Sequence, residues 1–220
     1  MQSIEGKKTR LAAVDCLIQY FEAAVHTFLL SRELYPRSTF RKHQRFGQVV
    51  LICNIKQVKQ FVKQFCASLQ TMILHDRVNA LVVSVSTENS SHPIERFFIE
   101  VPCDFSKTVF YTLPASTHKS DFDTVSACSE LLRENLVHLE RKLGSTLTHT
   151  LPAFTQPDLR WEVYVDVKRN SVQTTHCMDM PSGWSLVDSL PAGGQATRTP
   201  IKSSLLGNVV AVSTYVDSFS

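Results

Sequence analysis

Residues Arg160–Lys168 read RWEVYVDVK, and this stretch decides the fold class. Trp161, Val163, Val165 and Val167 alternate with Arg160, Glu162, Tyr164, Asp166 and Lys168. A strand turns successive side chains to opposite faces, so this period of two sets one face on a core and the other toward water. Two earlier runs, ALVVSVS (Ala80–Ser86) and IERFFIEV (Ile94–Val101), flank the polar turn Thr87–Pro93 and read as a hairpin.

Helical spacing appears three times. Leu11, Val14, Ile18, Phe21, Val25 and Phe28 recur every three or four residues, and Pro36 stops that helix by Tyr35. A second helix is predicted over about Ile55–Ile73, on a stripe of Val58, Phe61, Val62, Phe65, Leu69 and Met72. A third covers about Asp121–Leu143 on Val125, Cys128, Leu132, Leu136, Leu139 and Leu143, with Gly144 at the C-terminal cap. The order helix, helix, hairpin, helix, strand predicts an α+β fold, with three helices on one face of a small antiparallel sheet. From about Asn170 local preferences weaken, until NVVAVSTYV (Asn208–Val216) turns β-prone again. Those last residues read as a disordered tail or as a segment that packs late onto the sheet. The loop Gly144–Leu159 is longer than such a connection needs, and the sequence offers no reason for it.

Composition sets the bounds. A chain of 220 residues, 43% hydrophobic and 20% charged, suits one domain with a sizeable core. No uninterrupted apolar run of membrane-spanning length occurs, and the start, MQSIEGKKTR, does not read as a signal peptide. Six cysteines without a C-x-x-C pair are expected to be reduced thiols, in a cytosolic or nuclear protein.

Chemistry is sparse. No metalloprotease, nucleophile-elbow, phosphate-loop or dinucleotide fingerprint is present, so no enzyme, cofactor or metal is expected. His176-Cys177 is one adjacent pair without partners at metal-ligand spacing. Asp121/Asp123 and Glu130/Glu134 read as helix-start and surface charges. The basic cluster Arg32, Arg37, Arg41, Lys42, His43 and Arg45 could meet phosphates, but a solvated loop is the commoner meaning, and direct DNA binding is not expected from it.

Several blocks, in order, resemble one family. They are FEAAVHTFLLSRELYPRSTFRKHQRF (Phe21–Phe46), KQFVKQFCASLQTMI (Lys59–Ile73), VNALVVSVS with HPIERFFIEV (Val78–Ser86, His92–Val101), SELLRENLVHL (Ser129–Leu139), WEVYVDVKR (Trp161–Arg169), MPSGW (Met180–Trp184), and TPIKSSL with TYVDS near the end. Together they resemble HORMA domains, most of all the branch that supplies the accessory, non-catalytic subunit of DNA polymerase zeta. The resemblance implies a single domain, with 1–169 as core and 170–220 as a safety belt that wraps a partner peptide against the sheet. Such a peptide would gain main-chain hydrogen bonds as an added strand. It also implies a nuclear adaptor in translesion synthesis and DNA repair, clamping a proline-containing peptide of the polymerase zeta catalytic subunit. A spindle-checkpoint or meiotic-axis role is the alternative, since one fold serves several pathways.

Site residues follow from the same resemblance. Trp184, Leu186, Phe61, Tyr35 and Pro36 fall on the peptide channel, with Phe61 where relatives carry tyrosine. Arg133, Lys42 and Gly144 fall on a surface through which HORMA domains pair as homo- or heterodimers, with Gly144 where relatives carry alanine. Tyr215 and Ser213 fall on a second-partner surface for a Y-family translesion polymerase scaffold; Ser213 replaces glutamine and one residue is inserted. A HORMA-remodelling AAA+ ATPase is a further implied partner.

Overall fold

The computed structural model describes residues 4–89, 92–101, 121–146, 159–168, 184–185, 187, 189–190, 193–206 and 210–219. His176-Cys177, Leu186 and most of the Gly144–Leu159 loop lie outside the described residues. Helix α1 spans Ile4–Ser31, α2 Lys56–Leu74 and α3 Asp121–Thr146. Strands β1 (Phe40–Arg45) and β2 (Gln48–Cys53) form a separate hairpin. Strands β3 (Val78–Thr87), β4 (Pro93–Glu100), β5 (Leu159–Val167), β6 (Ala196–Leu206) and β7 (Val210–Phe219) make one antiparallel sheet, ordered β5-β3-β4-β7-β6.

Helix α1 contacts both α2 and α3 and is buried nearly all round: Tyr20, Phe21, Ala24, Val25, Phe28 and Leu29 are each fully buried. A helix apolar on every side belongs inside a protein or a membrane. Arg10–Ser31 is apolar and long enough to cross a membrane by composition alone, yet most of it is covered by the other helices and the sheet. Leu11, placed on the core stripe by spacing, is exposed, whereas Ala13 and Val14 just after it are buried.

The sheet gives the core Leu81, Val83, Val85, Phe97, Ile99 and Val216. Phe97 stacks on Phe28 with ring centroids 4.9 Å apart. Beside them lies a buried ion pair: Arg32 Nε and Nη2 donate to Glu95 at 2.5 and 2.7 Å, both side chains 2% exposed. Arg32 also donates to the Leu143 carbonyl at 3.4 Å, joining the end of α1, β4 and the end of α3. Arg32 is therefore not part of a solvated basic cluster.

Two expectations are corrected. The segment read as a loop after α1 is the β1–β2 hairpin, closed by Phe46 (φ 51) and Gly47 (φ 69). Paired positive φ values suit the two-residue turn of a twisted hairpin, and a bulky residue tolerates them poorly. Gly144 does not cap α3, which runs on to Thr146. The last fifty residues contribute two strands: β7 is a central strand, and β6 forms the edge. Near their start, Gly193 packs so closely on Phe219 that an added Cβ would overlap the ring.

His26 of α1 is fully buried, with neither ring nitrogen bonded. Burial, then Lys59, His43 and Arg45, lower its pKa from 6.5 to about 4. An unfolded chain takes up this proton more readily, so the stability conferred by neutral His26 is complete above pH 6.5 and is lost as pH falls toward 4. The loss should reach about 2 kcal/mol at pH 5. Thermal melts of His26→Leu and wild type at pH 7 and 5 check this; the variant's Tm should fall less.

Candidate functional site

The two edges of the sheet differ. Edge strand β6 carries Pro200 and a register shift between Pro200 and Lys202. Proline, lysine and bulges are the devices by which edge strands avoid pairing. The other edge, β5, is a nine-residue strand without proline, the register shift in its ladder with β3 falls on β3 between Val78 and Ala80, and its far side is unpaired among the described residues. Its core-facing residues Trp161, Val163 and Val165 are only half-buried. An edge strand has cover from one side alone, so these side chains floor a shallow groove beside α2.

Four aromatic rings line that groove. Trp161 meets Phe61 edge-on at 5.5 Å, Phe61 lies 6.2 Å from Phe65, and Phe65 lies 5.5 Å from Trp184. Phe61, Phe65 and Ser68 stand four and three residues apart, so they share one face of α2. Phe61 is 48% exposed, a correction to its place on the core stripe: Val58, Val62, Phe65, Cys66, Leu69 and Ile73 carry that stripe. Trp161 and Trp184 are the chain's two tryptophans. Each indole is held by a hydroxyl: Trp161 Nε1 donates to Tyr35 Oη, and Trp184 Nε1 to Ser68 Oγ, both at 2.9 Å. Ser68 passes its own hydrogen to the Phe65 carbonyl at 2.7 Å, which leaves its lone pairs for Trp184.

The structure thus brings together Tyr35, Phe61 and Trp184 from the expected channel residues. Pro36 is exposed beside Tyr35, at the start of the short turn Arg37–Thr39. Trp161 was missed as a site residue, because alternation placed it in the core. Its position on an edge strand was the missing signal, and sequence spacing does not give sheet order. Tyr35→Phe should cost about 1 kcal/mol by leaving the indole N–H unpaired. The same change in a Trp161→Phe background should cost almost nothing, so melting the four proteins isolates the pair.

Lys42 and Gly144 line one cavity of about 480 Å³ with Tyr35, Glu33 and Glu140. Arg133 precedes Glu140 and Gly144 by seven and eleven residues, so all three lie on one face of α3. Arg133 is held by Glu130, to which its Nε donates at 2.8 Å. A Cβ added at Gly144 meets nothing within 4 Å, so alanine would fit there equally. Tyr35 belongs to this surface and to the groove alike.

Tyr215 lies on the opposite face of the sheet and is 8% exposed. Its hydroxyl donates to Glu100 at 2.8 Å, and its ring stacks on Phe98 at 4.6 Å. Burial and Glu100 raise its pKa. The Arg198 guanidinium covers it at 3.9 Å, anchored on Asp217 at 2.9 and 3.0 Å. A partner arriving there would meet Arg198 before the Tyr215 ring. Ser213 is half-buried, paired with Glu100 and Ser203.

No family model matches the chain. Among solved structures, one titled Crystal Structure of Mitotic Checkpoint Complex aligns with TM-score 0.69 at 15% identity, over 94% of this chain and 98% of that one. C. elegans HTP-2 bound to a HIM-3 closure motif aligns with TM-score 0.68 at 9% identity, over 99% and 98%. Agreement over the whole length settles the fold. The chain has the HORMA-domain fold.

Its relatives in sequence agree. The chain is 22% identical over 207 residues to mitotic spindle assembly checkpoint protein MAD2B of Homo sapiens, covering 92% of the chain and 89% of the relative. It is 28% identical over 87 residues to MAD2B of Danio rerio, a match spanning 40% of the chain and only 41% of that protein. It is 24% identical over 171 residues to MAD2A of Dictyostelium discoideum, covering 74% and 82%.

Proposed function

We propose that this HORMA domain is a non-catalytic adaptor that captures a linear peptide as an added strand on β5. The observation that carries the proposal is the coincidence of an unprotected strand edge with four aromatic rings that include both tryptophans. An extended peptide gains main-chain hydrogen bonds from such an edge, and pockets beside it read alternate side chains. The belt supports the same reading. The chain leaves β5 at one edge and re-enters the sheet at the other as β6, with Trp184 beside α2 on the way. A bound peptide would thus be crossed by the chain, which slows its release.

We propose further that the peptide is a proline-containing segment of the DNA polymerase zeta catalytic subunit, and that the protein acts in the nucleus in translesion synthesis. The ordered sequence blocks and the MAD2B relatives support this. The Arg133–Lys42–Gly144 face would take a second HORMA domain, the Tyr215 face a Y-family polymerase scaffold, and an AAA+ ATPase would reopen the belt. With both tryptophans in the groove, indole fluorescence reports its occupancy. Titration with a polymerase zeta peptide should shift the emission, while checkpoint and meiotic-axis closure peptides should shift it far less. A shift with none of the three contradicts the adaptor reading; a shift with a checkpoint or axis peptide alone contradicts the pathway.

A further inference from the structure

A strand added on β5 has two faces, and the protein presents a different surface to each. The inner face meets Trp161, Val163 and Val165 on the floor, and beside them the flank of α2 that carries Phe61. No charge stands on that flank. By helical spacing Gln57, Gln60, Gln64, Ser68 and Thr71 fall within about 100° of Phe61 round the axis. Lys56, Lys59 and Lys63 fall about 140–160° away, on the far side of the helix.

The outer face meets the other residues of β5: Arg160, Glu162, Tyr164 and Asp166. Across the ladder β3 opposes them with Ser86, Ser84, Val82 and Ala80 in turn. None of these four is charged, so the two carboxylates face no cation on the inner side of the edge. Glu162 accepts from the Tyr164 hydroxyl at 2.6 Å, and Asp166 from the Asn79 amide at 3.3 Å, both neutral donors. The cations near them in sequence are otherwise placed: Arg160 donates to Ser86 Oγ at 3.0 Å, and Lys168 pairs with Asp76 at 2.5 Å. Farther into the same face of the sheet a carboxylate is matched, since Arg198 holds Asp217 at 2.9 and 3.0 Å. A cross-strand neighbour of opposite charge stabilises a strand pair, and one of like charge weakens it. For Glu162 and Asp166 that neighbour has to stand on the added strand.

We infer that this edge selects a peptide strand with lysine or arginine at two positions four residues apart and apolar residues facing the groove between them. The inference rests on strand addition at β5 and deepens it. Along the peptide the pattern is basic, apolar, any, apolar, basic. The bases stand opposite Glu162 and Asp166, the apolar residues opposite Val163 and Val165, and the unrestricted one opposite Tyr164. The pattern reads the same in both directions, so it serves a parallel or an antiparallel peptide. The aromatic rings anchor the strand, and Glu162 and Asp166 set which strand is accepted.

Selection from a displayed library of random peptides nine residues long, the length of β5, against the full chain tests this. Binders should be enriched in the basic pair. Against Glu162→Lys/Asp166→Lys the same library should return acidic residues at those positions. Both side chains are exposed on an edge strand, so the variant should keep the Tm of wild type. Replacing both bases of one selected peptide by glutamate should weaken its binding to wild type at least about fivefold. That difference should shrink as salt screens the exposed charges. Binders that protect the β5 amides from exchange yet lack the basic pair, or tolerate glutamate there, overturn the charge pattern and leave strand addition standing. A library that yields no binder, or binders that leave the β5 amides unprotected, overturns both.

Discussion

Glu95→Ala is expected to remove about 3–5 kcal/mol of folding stability, the cost of stranding a buried charge. Arg32 and Glu95 are both 2% exposed, and no described residue offers Arg32 a second carboxylate. Domains of this size are stable by only about 5–15 kcal/mol, so the variant should be partly unfolded near physiological temperature. Replacing both partners by apolar residues of similar volume should be far milder, because the desolvation of two charges then disappears as well. Chemical denaturation of Glu95→Ala and Arg32→Met/Glu95→Leu gives the comparison. The order of the two midpoints is the result to read, with the double variant the more stable. The pair matters beyond stability, because it fixes the end of α1 from which Tyr35 reaches Trp161.

Trp184→Ala should weaken peptide binding by about 2 kcal/mol or more, roughly thirtyfold, the effect of deleting an aromatic anchor from an interface. The indole closes the ring row at its belt end and ties the belt to α2 through Ser68. Most of the loss should appear as faster dissociation, since the belt acts after the peptide has paired. Trp161→Ala should weaken binding comparably from the sheet end of the row. Stopped-flow dissociation of a labelled polymerase zeta peptide separates the two, with the larger rate increase expected for Trp184→Ala.

The legible parts of this protein were those with a regular apolar pattern. The stripes of α2 and α3 and the alternation of β5 followed from spacing within two or three residues, and β3 and β4, buried on both faces, followed as β-branched and aromatic runs either side of a polar turn. Strand β1 was read as loop because its residues, FRKHQR, show no apolar alternation; the strand forms by pairing with β2 from Phe40 opposite Cys53 to Arg45 opposite Gln48. Strand β6, ATRTPIKSSLL, reads as a Thr/Ser-rich linker, and its pairing with β7 comes from main-chain bonds that carry no residue signature. Gly144 resembled a cap and is a glycine inside the last turn of α3, with open space beside it.

The groove shows the same division. Resemblance pointed to Tyr35, Phe61 and Trp184 as separate positions, and only the fold revealed Trp161 as the ring that connects them. Tyr215 illustrates the converse. Resemblance suggested an open contact residue, whereas Phe98, Glu100 and Arg198 already occupy its ring and hydroxyl.

Amide hydrogen exchange along Leu159–Val167, with and without peptide, tests the central claim most directly. If a partner strand adds to β5, the amides pointing away from β3 should exchange much more slowly once peptide is bound. The edge of β6 should be unchanged. Tight peptide binding that leaves the β5 edge amides exchanging as before would contradict strand addition there.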